Sequence, residues 1–230
     1  MKKKIMILTA AFTLVLSLGA CGAGNAESTA QTETTAADAD QDTETAGENT
    51  DSQGTDGSRI LIAYFTAAEN SGVDAVASAS YSDVNGEAKG RMQSLAEMIQ
   101  DVTGGDLFSI RTEETYPADG GDLIDYASQE QSEDARPALT THIENPDDYD
   151  IIFVGYPNWW ADLPMPLYSF FDEYDFSGKT IIPFNSHNGS RFSNTISTIA
   201  SLEPNATVIE DGFTVNERDV PDAAGDIASW

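Results

Sequence analysis

The sequence predicts a three-layer α/β fold, with a doubly wound, five-stranded parallel sheet, for residues 58–230. Short, unbroken apolar runs recur along this stretch, and such runs are typical of strands that are covered on both faces. Segments with helical spacing of apolar residues lie between them. Buried strands that alternate with helices favour a parallel sheet whose connections are right-handed crossovers. The stretch is long enough to bury a core without disulfides or metals.

Five segments are predicted to be strands. The first, Ile60–Phe65, is an apolar run between polar residues. Three others have the same character and a fifth is weaker: these are 106–110, 150–155, 179–184 and 206–210.

Five helices are predicted after these strands. The first carries an apolar stripe from Met92 to Val102 and ends at Gly104-Gly105, a typical helix stop. The last is expected to turn Ile227 and Trp230 toward the core. The helices after the first are predicted over residues 122–136, 164–174, 192–202 and 221–230.

The first 20 residues are predicted to be a targeting signal, with Lys2 to Lys4 followed by an apolar stretch. Leu18-Gly19-Ala20-Cys21 resembles a bacterial lipobox, which would make Cys21 the lipidated first residue of the mature protein. The alternatives are an ordinary secretory signal or a membrane anchor, but the apolar run is short for a spanning helix, which needs ~20 residues. As the only cysteine, Cys21 leaves no partner for an intramolecular disulfide and no cysteine cluster for a metal.

Residues 21–57 are predicted to form the lipidated cysteine and a disordered acidic linker. From Gly22 to Gly57 the chain has no aromatic residue, no Leu, Ile or Val and no Lys or Arg, so it cannot bury enough apolar surface to fold. As a flexible coil it would reach ~30–36 Å. The whole chain has 39 Asp and Glu against 11 Lys and Arg, a net charge of −28. Such a charge repels nucleic acid and anionic membrane surfaces, so nucleic acid is excluded as a partner.

The loops after the first, third and fourth strands are the candidate site, because ligands of an open parallel sheet bind beyond the carboxyl ends of its strands. The loop after the third strand, Gly155–Pro164, contains Trp159 and Trp160. Two adjacent indoles in a loop expose much apolar area unless they pack on something flat. They therefore indicate a flat aromatic ligand, with the alternative that both belong to the core.

The other two loops are polar. Asn185–Phe192, after the fourth strand, has small residues that let the backbone approach a ligand closely; the alternative is an ordinary turn with a helix cap. After the first strand, Thr66 and Ser71 offer hydroxyls to a phosphate, and Gly90-Arg91-Met92 opens a helix that favours an anion. The alternative role for Thr66 is backbone capping.

Together these segments resemble the flavodoxin family, in particular a flavodoxin-like branch that includes bacterial lipoproteins. The resemblance covers nearly all of 59–230 and is most distinctive in Gly155-Tyr156-Pro157-Asn158-Trp159-Trp160. It implies sheet order 2-1-3-4-5 and a non-covalent flavin mononucleotide (FMN). The first loop departs from the family pattern: residues 72–89 are inserted, and Gly90-Arg91-Met92 stands where Gly-Asn-Thr is usual. The other segments that carry the resemblance are 62–66, 96–99, 105–110, 116–117, 135–137, 149–150 and 176–180.

The resemblance also implies which residues hold FMN. The phosphate would lie on the first loop and the start of the following helix, and the ring between the other two loops. His187 would contact the polar edge of the ring, with an exposed loop histidine as the alternative. The implied cofactor-binding residues are Thr66, Ala67, Ser71, Gly90, Arg91, Met92, Pro157, Asn158, Trp159, Trp160, Ser186, His187, Asn188 and Gly189.

We therefore expect an FMN-binding electron-transfer protein of low potential, tethered outside the cytoplasmic membrane and exchanging electrons with redox proteins or quinones. Two alternatives stay open: a flavin-dependent reductase of quinones or nitro compounds, and a cofactor-free binding module, which the altered first loop suggests. Hydrolysis is disfavoured because there is no Gly-x-Ser-x-Gly motif and no cysteine nucleophile in the domain. No metal is expected, since His142 and His187 lie far apart without motif spacing.

Overall fold

The computed structural model describes residues 59–71, 81–84 and 87–230. The predicted targeting signal, Cys21 and the acidic linker lie outside the described residues, so lipidation of Cys21 stays a prediction. Residues 72–80 and 85–86 of the predicted insertion lie outside them as well. In the part of the chain that is described, no helix has both the length and the apolar character needed to cross a bilayer.

The strands and helices alternate along the chain. The described strands are β1 (Ile60–Phe65), β2 (Tyr81–Val84), β3 (Glu87–Gly90), β4 (Asp106–Ile110), β5 (Ile151–Pro157), β6 (Thr180–His187), β7 (Thr207–Val208) and β8 (Phe213–Asn216). The helices are α1 (Ala67–Ser71), α2 (Arg91–Thr103), α3 (Gly120–Ser132), α4 (Met165–Glu173), α5 (Thr195–Leu202) and α6 (Ala224–Ser229), with short 3₁₀ turns at Pro146–Asp148 and Val220–Asp222.

The main sheet is parallel and has the order β4-β1-β5-β6-β7, with β8 also paired to β6. Counted without the separate β2–β3 hairpin, this is the order 2-1-3-4-5, as predicted. The strand order reverses between β1 and β5, where Ile62 pairs with Phe153. In such sheets the crevice at this reversal is where ligands bind.

Side chains of alternate residues fill two separate cores, because neighbouring residues of a strand point to opposite faces. On one face Ala63, Phe65 and Val154 pack against α3, α4 and α5. On the other, Ile62 and Phe153 pack against α2 and α6. The predicted three-layer architecture is therefore confirmed.

The fifth strand differs from the prediction, which placed it at 206–210. It is split into β7 and β8, and Phe213–Asn216 was not predicted as strand. Pro183 gives the physical reason. The carbonyl groups of Ile181 and His187 accept hydrogen bonds from backbone N–H groups of the neighbouring fifth strand. The nitrogen of Pro183 faces this same neighbour, but it has no hydrogen to donate. The neighbouring chain leaves the ladder there, and Gly212 lies so close that an added Cβ would be 2.2 Å from the Pro183 carbonyl oxygen.

Helix ends and two core assignments also differ from the predictions. α3 begins earlier than predicted because the Asp119 carboxylate accepts from the backbone N–H groups of Gly121 and Asp122, at 2.8 and 3.2 Å. Val102, which was predicted to belong to the apolar stripe of α2, is 55% exposed. Trp230 is 44% exposed, although its ring contacts the core rings of Phe153 and Phe213. Ile227 is buried as predicted.

Candidate functional site

A groove of about 310 Å³ opens at the carboxyl ends of β5 and β6. This volume falls in the range of about 300–1,000 Å³ that is usual for small-molecule sites. Three walls enclose it: the loop after β5, the loop after β6 and one face of α3. The residues that line it are Leu123, Ile124, Ala127, Pro157, Asn158, Trp159, Trp160, Ser186, His187, Asn188 and Glu217.

The two adjacent tryptophans have different roles in this groove. Trp159 packs against the first core, edge-on to the ring of Phe65 with a centroid distance of 5.8 Å. Trp160 is 49% exposed. Its ring contacts that of Trp159, with 6.4 Å between the ring centroids. One indole is therefore structural, and the other is available to a ligand. The alternative that both fill the core does not hold.

A tight turn presents the exposed indole. The backbone N–H and carbonyl groups of Trp159 and Asp162 pair with each other at 3.2 and 3.0 Å, while Trp160 and Ala161 between them have φ values of 50° and 67°. The left-handed conformation costs an L-residue about 1–2 kcal/mol. Strain of this kind persists only where the surroundings impose it and is concentrated at functional sites.

Hydrogen bonds hold the loops after β5 and β6 together. The Asn158 backbone N–H donates to the Ser186 carbonyl at 2.9 Å. The Arg191 carbonyl accepts from the side-chain amides of both Asn158 and Asn185. The Oδ1 atom of Asn158 is buried and has no hydrogen-bond partner among the described residues, so one acceptor at the groove wall is left for a ligand donor.

His187 is held as a neutral imidazole. Its Nδ1 accepts the backbone N–H of Gly189 at 2.8 Å, so the ring proton resides on Nε2. Burial lowers the pKa of His187, and the neighbouring Arg191 lowers it further, against a smaller opposing effect of Asp219. Gly189 has a φ of +100°, which few other residues adopt. The loop thus offers an N–H donor and not a cation.

The first loop is more closed than the sequence suggested. Thr66 has no exposed surface, and Gly90 packs so tightly on it that an added Cβ would lie 2.5 Å from the threonine Oγ1. Ala67 and Met92 are fully buried core residues. Their side chains are therefore outside the groove, and the backbone is what they can offer to a phosphate. Ser71 is the last residue of α1.

A chain of contacts joins the start of α2 to the groove. Arg91, the first residue of α2, donates from Nε to the Glu217 carbonyl at 3.1 Å, and the Glu217 N–H donates to the His187 carbonyl at 2.8 Å. Burial lowers the pKa of Arg91, an effect that the Glu217 carboxylate opposes. The predicted phosphate-binding position and the predicted ring position therefore adjoin along one rim.

Sequence reasoning missed the α3 wall and Glu217. Leu123 is fully buried, whereas its neighbour Ile124 is 47% exposed and lines the groove. Adjacent residues of a helix point about 100° apart, so they cannot both face one core. This pair of apolar residues was the signal that could have revealed the wall. Glu217 has no sequence signal, because it reaches the groove only through the pairing of β8 with β6.

A family model for flavodoxin matches residues 80–230. The chain belongs to the flavodoxin family. The comparison with curated proteins found no match.

Solved structures that resemble this flavodoxin include two candidate flavoproteins. The one from Bacteroides eggerthii is 27% identical, over 75% of this chain and 99% of its own, with a TM-score of 0.55. The one from Bacteroides uniformis is 25% identical, over 72% of this chain and 97% of its own, also with a TM-score of 0.55. A Lactobacillus acidophilus flavoprotein in complex with FMN is 19% identical, over 74% of this chain and 99% of its own, with a TM-score of 0.49.

FMN is the cofactor that membership of this family assigns, and in the 2-1-3-4-5 fold it binds at the reversal of strand order. The residues present fit it: the exposed indole of Trp160 suits a flat ring, and the Asn158 Oδ1 and the His187 Nε2–H suit its polar edge. Within the described ranges, no three His, Cys, Asp or Glu side chains are placed to share a metal ion.

Proposed function

We propose that this flavodoxin is an FMN-dependent electron-transfer protein that works outside the cytoplasmic membrane, held there by a lipid on Cys21. The observation that carries the proposal is the groove beside the reversal of strand order, with a half-exposed indole on one wall and the 186–189 loop on another. When bound there, FMN supplies one-electron and two-electron redox chemistry.

The chain's own residues bind and orient the cofactor. Trp160 covers apolar ring surface, and its strained turn keeps the indole facing the groove. His187 presents its Nε2–H as a donor, and Asn158 presents its Oδ1 as an acceptor. The buried start of α2, with its backbone N–H groups, provides the positive end of a helix for the phosphate.

Electrostatics favours a low reduction potential. Among the described residues that line the groove, Glu217 alone carries a carboxylate, and the chain as a whole carries 39 acidic residues. A negative field opposes the gain of negative charge by a bound ligand. The protein therefore suits the role of an electron donor to redox proteins or quinones.

The tether argument comes from the sequence alone. A lipid on Cys21 followed by the acidic residues 22–57 would hold the domain at a membrane surface that its charge otherwise repels. Cys21→Ser is expected to move the protein from the membrane fraction to the soluble fraction. Retention of Cys21→Ser in washed membranes would contradict the lipid anchor without touching the flavin site.

Cofactor binding is tested with the full chain. Protein expressed with riboflavin should be yellow and show a flavin absorption spectrum. Trp160→Ala should weaken FMN binding by about 1–3 kcal/mol, the usual value of aromatic stacking, measured by fluorescence quenching. Trp230→Ala is the matched control, because Trp230 is equally exposed but packs on the other core.

Two results would decide against the proposal. A colourless protein that binds added FMN more weakly than about 1 mM, which corresponds to about −4 kcal/mol, would favour the cofactor-free module. Steady oxidation of NAD(P)H with a quinone or nitro compound would favour the reductase. An electron carrier takes and gives electrons stoichiometrically and does not turn over in this way.

A further inference from the structure

A row of oxidisable aromatic side chains leads away from the groove. Trp160 contacts Trp159 at 6.4 Å between ring centroids, Trp159 contacts Tyr116 at 6.2 Å, and Tyr116 contacts Tyr126 at 5.2 Å. Tryptophan and tyrosine are, with the cysteine thiolate, the protein side chains that lose one electron most readily. Rings in contact exchange single electrons rapidly, so this row is a continuous path.

The middle of the row has a built-in proton acceptor. The Tyr116 hydroxyl donates to Oε2 of Glu130 at 2.7 Å, and both residues are buried, with 1% and 8% of their surface exposed. A phenol that loses an electron becomes strongly acidic and must release its proton. Burial raises the pKa of Glu130, and the Tyr116 hydrogen bond opposes this only in part. The carboxylate is therefore a better base than one in water.

The far end of the row reaches the surface. Tyr126 is only half-buried and, with Glu130, lines a surface cavity of about 250 Å³ between α3 and the segment from Ala135 to Pro137. The row thus connects the half-exposed Trp160 in the groove to the half-buried Tyr126 of α3, which lines this second cavity.

We propose that the row Trp160, Trp159, Tyr116 and Tyr126 carries single oxidising equivalents out of the groove, with Glu130 as the proton acceptor for Tyr116. This path protects the groove tryptophans from irreversible oxidation. The proposal rests on the proposed flavin site, because the oxidant it names is a photoexcited flavin in the groove.

The step balances in electrons and protons. The oxidant takes one electron from Trp159 or Trp160, and the resulting tryptophan cation regains one electron from Tyr116, whose hydroxyl proton moves to Glu130. Tyr126 then gives one electron to Tyr116, which recovers its proton from Glu130, and Tyr126 releases its own proton to water. In sum the oxidant gains one electron, and Tyr126 loses one electron and one proton.

Tyr156 provides a matched control. It is also fully buried, and its hydroxyl donates at 2.8 Å, but to the Thr195 hydroxyl and not to a carboxylate. Among the described residues it forms no ring contact with the row. Tyr156→Phe and Tyr116→Phe each remove one buried hydroxyl, so their difference isolates the position of Tyr116 in the path.

The experiment is a laser flash on the FMN-loaded protein, with transient absorption recording tryptophan and tyrosine radicals. In the wild type, the tryptophan radical should decay into a tyrosine radical, and the decay should slow in D₂O because a proton moves. Tyr116→Phe should abolish the tyrosine signal and prolong the tryptophan signal, and Glu130→Gln should slow the decay and remove its D₂O effect. Tyr156→Phe should behave like the wild type.

Equal tyrosine yield in Tyr116→Phe and wild type, or an unchanged decay in Glu130→Gln, would show that the row only packs the core and would overturn the proposal. If Glu130→Gln does not fold, the absence of a D₂O effect in the wild type overturns the role of Glu130. A colourless protein would defeat the proposed function but not this test, because tris-bipyridine ruthenium(III), generated by a flash in the presence of an added electron acceptor that quenches the excited ruthenium(II) complex, can then replace flavin as the one-electron oxidant.

Discussion

Gly155→Ala tests the packing that brings the two loops of the groove together. Gly155 of β5 lies directly opposite Phe184 of β6 in the parallel ladder. An added Cβ would lie 2.2–2.8 Å from three carbons of the Phe184 ring. Such distances are far below van der Waals contact, and the ring has no exposed surface into which it could retreat.

The expected magnitude follows from that overlap. Inserting a methyl group into a filled core costs about 1–3 kcal/mol. For a domain of this size each 1 kcal/mol lowers the melting temperature by about 2–4 °C, so thermal unfolding followed by circular dichroism should shift down by about 2–12 °C. FMN binding should weaken as well, because β5 and β6 carry the groove loops at their ends.

Two further variants make the test specific. Gly225→Ala adds the same methyl group in α6, where no atom lies within 4 Å, and it should leave stability unchanged or raise it by up to about 1 kcal/mol. Phe184→Leu frees space opposite Gly155, so the double variant should be more stable than the sum of the single effects predicts. If Gly155→Ala melts at the wild-type temperature, the close approach of the two strands is refuted.

Three other changes have expected results. The folded-state pKa of His187 lies below its ordinary 6.5, so its contribution to stability is present above that value and lost as pH falls through the folded pKa; urea unfolding at about pH 7.5 and about pH 5 should show a loss that is absent in His187→Gln. Asn185→Ala removes the acceptor of the Thr214 hydroxyl and leaves the Arg191 carbonyl with the Asn158 amide as its remaining side-chain donor, which should cost about 1–3 kcal/mol in urea unfolding and speed hydrogen exchange in the 186–191 loop. Ala161→Gly should raise the free energy of unfolding by up to about 1 kcal/mol, because glycine adopts a φ of 67° without strain; a destabilised Ala161→Gly would contradict the strain argument.

Much of the fold could be predicted because the signals are local. The bounds of β1 and β4 match the prediction residue for residue. Each strand has a clear start in the sequence, because Arg59 precedes β1 and Gly104-Gly105 precedes β4. The end of α2 also matches: Gly104 adopts a φ of 71°, and its N–H donates to Gln100. Such caps depend only on neighbouring residues.

The errors arise where a partner strand decides the outcome. The split between β7 and β8 follows from Pro183, which lies more than 20 residues away in the chain but directly beside the break. The burial of the first-loop residues Thr66 and Met92 was likewise not evident from the sequence, and their part in binding the phosphate stays a prediction.

What the sequence by itself determined is the alternation of strands and helices, the acidic charge and the two loops that carry indoles and small polar residues. Those properties depend on residues close together along the chain. Only the tertiary structure decided which indole packs on Phe65 and which stays exposed, that Glu217 and Ile124 complete the groove, and that Tyr116 lies between Trp159 and Glu130. These contacts join distant segments, and they exist only once the sheet has brought the segments side by side and packing has selected a single arrangement.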